Sequence, residues 1–257
     1  MTITITPIPA FNDNYIWAIT NNSNKLVLVD PGQAAPCFAF IEAKGLTLTD
    51  ILITHHHRDH VGAIDELTSA FDGVNVYGPS YEDIPHRSVS LQGGESIHIP
   101  AIDTEFKVTH VPGHTSGHIV YYTLGALFCG DTLFSAGCGR LFEGTPEQMY
   151  NSLSTLAELP SDTKIYCAHE YTLANLDFAL AVEGNNVELQ RYIVRAKRLR
   201  QDNVPTLPSS IGLEKAINPF LRSASKEVKS NAEQYVNQSL NSDVEVFTAV
   251  RKWKDNF

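Results

Sequence analysis

Short blocks of apolar residues separated by polar turns run through the first two-thirds of the chain, and the spacing changes near residue 171. Before that point the blocks are strand-like, with β-branched and aromatic residues bounded by Gly, Pro, Asn and Asp. They predict strands over residues 3–6, 15–20, 25–29, 51–53, 74–77, 96–99, 106–111, 119–123, 127–130 and 164–168. Helical spacing predicts helices over 34–44 and 59–71. Thr145-Pro146-Glu147-Gln148 predicts a helix start, with Thr as N-cap, Pro in the first position and Gln closing a capping box. Beyond Tyr171 apolar positions recur every three or four residues, predicting helices over 173–182, 187–202, 226–240 and 244–253. Ser242-Asp243-Val244-Glu245 offers a second capping box, and Pro205 and Pro208 mark a connector. The pattern is that of a β-rich α/β domain, residues 1–170, followed by a helical domain, residues 171–257.

Composition changes this picture little. With 257 residues, 43% hydrophobic and 19% charged, the chain suits one large domain or a domain with an appendage. A net charge of -10 argues against non-specific nucleic-acid binding, which needs a basic surface. The first ten residues lack a basic and apolar leader, and the longest apolar stretch, 119–129, is too short to span a bilayer. Cys37, Cys129, Cys138 and Cys167 are scattered, which fits free buried thiols in a reducing compartment. The expectation is a cytoplasmic protein with no membrane partner.

The chemistry is concentrated where predicted strands end. Thr54-His55-His56-His57-Arg58-Asp59-His60 follows the apolar run Ile51-Leu52-Ile53. Alternate side chains there share a face, so His55 and His57 can reach one point while His56 turns away. Asp59 and His60 can reach a second point close by. Three further strands deliver similar residues: His114 in Pro-Gly-His-Thr after 106–111, Asp131 after 127–130, and His169 after 164–168. Two four-coordinate metals sharing one carboxylate need seven protein ligands, and these residues supply seven. Nitrogen and carboxylate donors suit zinc, or iron or manganese. His86, His98 and His110 read as structural, whereas His56, His118 and Asp30 are candidates for orienting a ligand. No G-x-S-x-G elbow for a serine nucleophile is present.

The T-H-x-H-x-D-H heptad, P-G-H-T, Gly130-Asp131-Thr132-Leu133-Phe134 and the late His169 resemble the metallo-β-lactamase superfamily. Asp13-Asn14-Tyr15, Ala136-Gly137-Cys138-Gly139-Arg140, Cys167-Ala168-His169-Glu170-Tyr171-Thr172 and Arg251-Lys252-Trp253-Lys254-Asp255 further resemble the glyoxalase II (hydroxyacylglutathione hydrolase) family. The resemblance implies a four-layer αββα sandwich with a C-terminal α-helical domain that binds glutathione. It implies one metal on His55, His57 and His114, another on Asp59, His60 and His169, and Asp131 as the bridge. Arg140, Tyr171, Arg251 and Lys254 match the glutathione-gripping positions. Arg140 stands where some members have Lys, and Phe142 stands where the family has Tyr, so that hydroxyl contact does not carry over. The implied activity is hydrolysis of S-D-lactoylglutathione to D-lactate and glutathione by a monomer. Asp59 and Asp131 would then be catalytic through the metal-activated water. The rival is a mononuclear-iron glutathione persulfide dioxygenase of the same fold, which would leave Asp59, His60 and His169 without a second metal.

Overall fold

The computed structural model describes residues 3–257, which fold as two compact units. The first comprises the chain through His110 together with Ser116–Gly130, and the second Val111–Thr115 with Asp131–Phe257.

In the first unit, strands β1 (Thr4–Ala10), β2 (Asn14–Thr20), β3 (Lys25–Val29), β4 (Thr47–Leu52), β5 (Asn75–Pro79) and β6 (Val89–Leu91) form one sheet in that order. β1 to β3 pair antiparallel, whereas β3 to β6 run parallel. Helices α1 (Ala34–Lys44), α2 (Arg58–Val61) and α3 (Ile64–Ala70) connect them. Leu26, Leu28, Ile51 and Val76 bury one face of this sheet against Cys37 and Ile41 of α1 and Ile64 and Leu67 of α3. Val27 and Val29, pointing the opposite way, are buried too. A central strand apolar on both faces lies in the middle of a layered structure. Strands β7 (Ser96–Ile99), β8 (Thr104–His110), β9 (Ile119–Thr123) and β10 (Ala126–Gly130) form an antiparallel meander. Tyr121 of β9, fully buried, donates its hydroxyl to Ile53 O at 2.8 Å, just beyond β4.

Two expectations are corrected here. The strand expected over 3–6 continues to Ala10 through Pro7 and Pro9, because β1 is an edge strand and can forgo N–H donors. The helix expected over 59–71 breaks into α2 and α3. Ala63 N–H donates to Pro31 O at 3.0 Å rather than continuing the ladder, and Leu67 N–H restarts it on Ala63 O.

In the second unit, β11 (Leu133–Phe134) and β12 (Gly137–Cys138) form a tight hairpin, followed by α4 (Pro146–Ala157) and β13 (Lys164–Cys167). The Thr145–Gln148 capping box of α4 forms in full. Helices α5 (Thr172–Val182) and α6 (Val187–Gln201), strand β14 (Ser209–Ser210), α7 (Ile211–Ile217), α8 (Lys226–Val236) and α9 (Asp243–Asp255) complete the chain. β14 pairs with β13. Ala136, Leu176, Ala179, Leu189, Tyr192, Ala196 and Ile217 form this unit's apolar cluster. α8 ends at Val236, short of the expected 240, because Asn237 takes a left-handed conformation at φ 52°. The second capping box is shared with a neighbour: Ser242 caps Glu245 N–H, but the Glu245 carboxylate accepts from Asn241. Among the described residues no helix is long and apolar enough to cross a membrane.

Candidate metal centre

His55, His57, Asp59 and His60 follow β4 in the first unit, and the local geometry dictates how each is presented. His55 Nε2 lies 3.1 Å from His57 Nδ1. The ring between them, His56, turns away, and Glu82 Oε2 accepts from its backbone N–H at 2.6 Å and contacts its Nδ1 at 3.0 Å. Glu82 also accepts from Gly117 N–H, so one buried carboxylate ties down the histidine loop. Gly32 packs against the same loop so closely that a Cβ there would lie 1.7 Å from Asp59 O. Only glycine permits that approach.

Asp30, buried directly after β3, acts on one ring through Thr54 and lies directly beside a second. Thr54 donates its N–H to Asp30 Oδ1 and its hydroxyl to Asp30 Oδ2, both at 2.8 Å. With its one proton committed, Thr54 Oγ1 accepts from His55 Nδ1–H at 3.0 Å, which leaves His55 Nε2 as a lone-pair donor. His60 Nδ1 lies 3.1 Å from Asp30 Oδ2, within ion-pair distance. His60 Nε2 faces Asp59 Oδ2 at 3.6 Å, while the Asn14 amide donates to that same oxygen at 3.0 Å. His118 stacks on His55 at 4.7 Å between ring centres. His86, His98 and His110 contact Asp65, Asp103 and Ser116 O, outside the cluster.

In the second unit Asp131 divides its two oxygens. Oδ2 lies 3.4 Å from His114 Nε2 and Oδ1 lies 3.3 Å from His169 Nε2. His114 Nδ1–H donates to Arg140 O at 2.8 Å, so the nitrogen facing Asp131 carries a lone pair. Gly139 lets the following loop fold back on Asp131: a Cβ would lie 1.9 Å from Asp131 O. Two exposed aromatic rings flank these imidazoles, Tyr171 stacked on His169 at 4.5 Å and Phe142 edge-on to His114 at 5.3 Å.

The donor set fits divalent metal. Two ligands about 2.0–2.1 Å from a tetrahedral cation sit roughly 3.3 Å apart, close to the 3.1, 3.3 and 3.4 Å separations above. The unprotonated His114 Nε2 facing a carboxylate oxygen gains nothing from it without a cation between them. All seven residues belong to donor groups of a kind that can hold a metal ion.

The four residues matched to glutathione recognition lie in the second unit. Arg140 is exposed, its guanidinium 5.7 Å from the Phe142 ring centre. Lys254 Nζ donates to Ala174 O at 3.2 Å and lies over the Phe178 and Phe257 rings. Desolvation, then the Arg251 charge, lowers its pKa below the ordinary lysine value. Arg251 is only 6% exposed, with Nη1 on Cys138 O at 3.1 Å and Nη2 on Asp255 at 2.8 Å. Its guanidinium therefore braces the Gly-Cys-Gly loop. Burial pushes the Cys138 thiol up to about 11, and all four cysteines are buried thiols. Sequence reasoning assigns no role to Asn14 or Glu82. Asn14 lies in a motif notable only for its resemblance, and nothing local marks Glu82.

Solved structures place the fold. The B3 metallo-β-lactamase BLEG-1 superposes with a TM-score of 0.63 at 23% identity, covering 86% of this chain and 99% of its own. ETHE1 from Myxococcus xanthus gives 0.66 at 23% identity, covering 99% and 98%. The protein TTHA1623, solved in a di-iron-bound form, gives 0.59 at 25% identity, covering 85% and 100%. Residues 11–169 match the metallo-beta-lactamase superfamily. The chain thus has the αββα metallo-β-lactamase fold with a C-terminal helical region.

Residues 170–257 match the hydroxyacylglutathione hydrolase C-terminus. Hydroxyacylglutathione hydrolases from Photobacterium profundum and Aliivibrio fischeri are each 51% identical over 255 residues, covering 99% of this chain and 100% of theirs. That from Shewanella halifaxensis is 52% identical over 257 residues, covering 98% and 99%. The chain belongs to the hydroxyacylglutathione hydrolase family.

Proposed function

We propose that the protein hydrolyses S-D-lactoylglutathione and related S-2-hydroxyacylglutathiones to the 2-hydroxy acid and glutathione, using two divalent metal ions per chain. The single observation that carries the metal chemistry is Asp131, whose two carboxylate oxygens are divided between the Nε2 atoms of His114 and His169. A carboxylate so placed suits a bridge. By the family's pattern His55, His57 and His114 would hold one metal and Asp59, His60 and His169 the other, and Asp131 would serve both. Zinc best suits this shell, and iron or manganese fits it too. The di-iron form of TTHA1623 supports a two-metal reading.

Bound metals supply a water acidified toward neutral pH and a Lewis acid for the thioester carbonyl. The chain's own residues do the rest. Asp30, through Thr54, fixes the proton position on His55 and lies beside His60, and Asn14 donates to one Asp59 oxygen and so orients that carboxylate. The leaving thiolate has an ordinary pKa of about 8.5, so little general-acid help is required. That agrees with a site whose imidazoles are presented as donors rather than acids.

Residues 1–170 form the catalytic domain in this reading, and 171–257 the glutathione-binding domain. Arg140, Tyr171 and Lys254 contact the substrate, and Arg251 supports them through Cys138. Concentrated cations are needed because glutathione is anionic and the protein carries a net charge of -10. The site of action proposed is the cytoplasm, as a monomer. The dioxygenase alternative is not favoured, since relatives 50–52% identical over nearly the whole chain carry the hydrolase name.

The test is hydrolysis of S-D-lactoylglutathione with metal analysis on the same sample. Turnover accompanied by two metals per chain is expected. Oxygen consumption with a glutathione persulfide, and one iron per chain, would overturn the reading.

A further inference from the structure

Four consecutive residues, 134–137, make the turn of the β11–β12 hairpin and lie between Asp131 and Arg140 along the chain. Ala136 among them has φ 56°, a left-handed backbone that a residue with a Cβ adopts only when its surroundings impose it. The surroundings are three side chains from the helical segments. Asn175 of α5 donates to Ser135 O at 3.1 Å. Glu214 of α7 accepts the Ala136 N–H at 2.7 Å. Asn218, directly after α7, donates its amide to Phe134 O at 3.1 Å and Gly137 O at 2.9 Å. Every one of the four residues thus has a backbone polar group fixed by a distant side chain.

Glu214 is fully buried and accepts from three neutral donors, the Ala136 N–H, the Asn218 amide and the Ser209 hydroxyl. Burial pushes its pKa up. A buried carboxyl on neutral donors is an expensive way to fill space, and an apolar residue of equal volume would pack at lower cost. What the carboxyl and the two amides supply is geometry at the turn.

We propose that Glu214, Asn218 and Asn175 are positioning residues for substrate recognition, holding the 134–137 turn so that Arg140 and the Gly-Cys-Gly loop are presented to glutathione at a fixed distance from Asp131. The proposal rests on the glutathione-thioesterase reading above. None of the three residues touches substrate. They act through the backbone that carries Arg140, and the helical region thereby sets affinity as well as supplying Lys254.

The experiment uses the metal-loaded full chain. Wild-type turnover of S-D-lactoylglutathione tests the underlying reading by itself. Asn218→Ala and Asn175→Ala are then compared with wild type for KM, kcat, metal stoichiometry, thermal midpoint and calorimetric affinity for glutathione. Loss of the turn's tethers is expected to raise KM and the glutathione Kd about tenfold, or about 1.4 kcal/mol, with two metals still bound. Glu214→Gln is expected to recover most of the affinity lost in Glu214→Ala, because the amide oxygen still accepts from Ala136 while its NH2 donates to Ser209. If Asn218→Ala does not fold, Asn175→Ala on a separate helix decides the matter. Folded variants with wild-type KM and glutathione affinity, and only a lowered thermal midpoint, would overturn the proposal while leaving the hydrolase reading intact.

Discussion

Replacing Asp30 with Asn keeps the shape of a buried side chain and changes only its protons. In the wild type both oxygens accept: Oδ1 from Thr54 N–H, Oδ2 from the Thr54 hydroxyl, with His60 Nδ1 at 3.1 Å. An amide oxygen can replace Oδ1, but the NH2 then faces His60 Nδ1 and Thr54 Oγ1. That NH2 beside His60 Nδ1 favours the ring proton on Nε2, the nitrogen that faces Asp59. Thr54 Oγ1 must accept from the new amide while still facing His55 Nδ1. One buried donor is left in conflict, which costs about 1–3 kcal/mol. The left-handed φ of 52° at residue 30 is no obstacle, since Asn tolerates it as Asp does. Loss of such an orienting carboxylate lowers metal affinity about 10- to 100-fold. Asp30→Ala is the less informative change: it strands both Thr54 donors at about 2–6 kcal/mol, a large part of a domain's 5–15 kcal/mol, and mainly tests folding. The assay is zinc competition against a chromophoric chelator, beside urea unfolding of the metal-free proteins. Wild-type metal affinity in the Asp30→Asn variant, with only a loss of stability, would refute the claim that Asp30 sets the imidazole tautomers.

Three other outcomes follow from the same geometry. Asp131→Ala is expected to lose bound metal and turnover together, and normal thioesterase rates in metal-depleted variant protein would contradict the bridging role. Lys254→Ala removes one charge-assisted contact, worth about 1.5–3 kcal/mol, and should raise KM about 10- to 100-fold with little change in kcat. A large fall in kcat at unchanged KM would argue against it. Glu183 is desolvated, which raises its pKa, but hydrogen bonds from Arg222, Asn186 and Ser225 outweigh this and hold it below the ordinary value of 4.5. A depressed pKa contributes stability above the unfolded pKa that is lost as pH falls through the folded one. Arg222→Ala should therefore flatten the acid limb of the stability–pH curve below about pH 4.5, and an unchanged limb would refute the assignment.

The legible parts of the molecule are those written locally. A run of aliphatic residues ending in His-x-His-x-Asp-His announces both a strand end and a ligand cluster, and Thr145–Gln148 announces its own helix. What stays hidden is specified by distant residues. The break between α2 and α3 comes from Pro31 O, which takes the Ala63 N–H, and from Gly32, which packs against the Asp59 backbone. The short strands β6, β11, β12 and β14 exist only through their partners, since two or three residues carry no periodicity to read. α7 escapes the sequence for a related reason: seven residues beside Pro208 give barely two turns of pattern. Asn14 and Glu82 reach the site across 45 and 26 residues. Arg251 shows the opposite limit. Its spacing from Lys254 suggests a pair of cations open to substrate, whereas its fork is taken up by Cys138 O and Asp255.

Anomalous diffraction from crystals grown with zinc tests the central claim most directly. Two peaks about 3.5–4 Å apart, one against His55, His57 and His114 and the other against Asp59, His60 and His169, with Asp131 touching both, is the result predicted. A single peak, or two peaks that leave Asp131 or His169 uncoordinated, would contradict it.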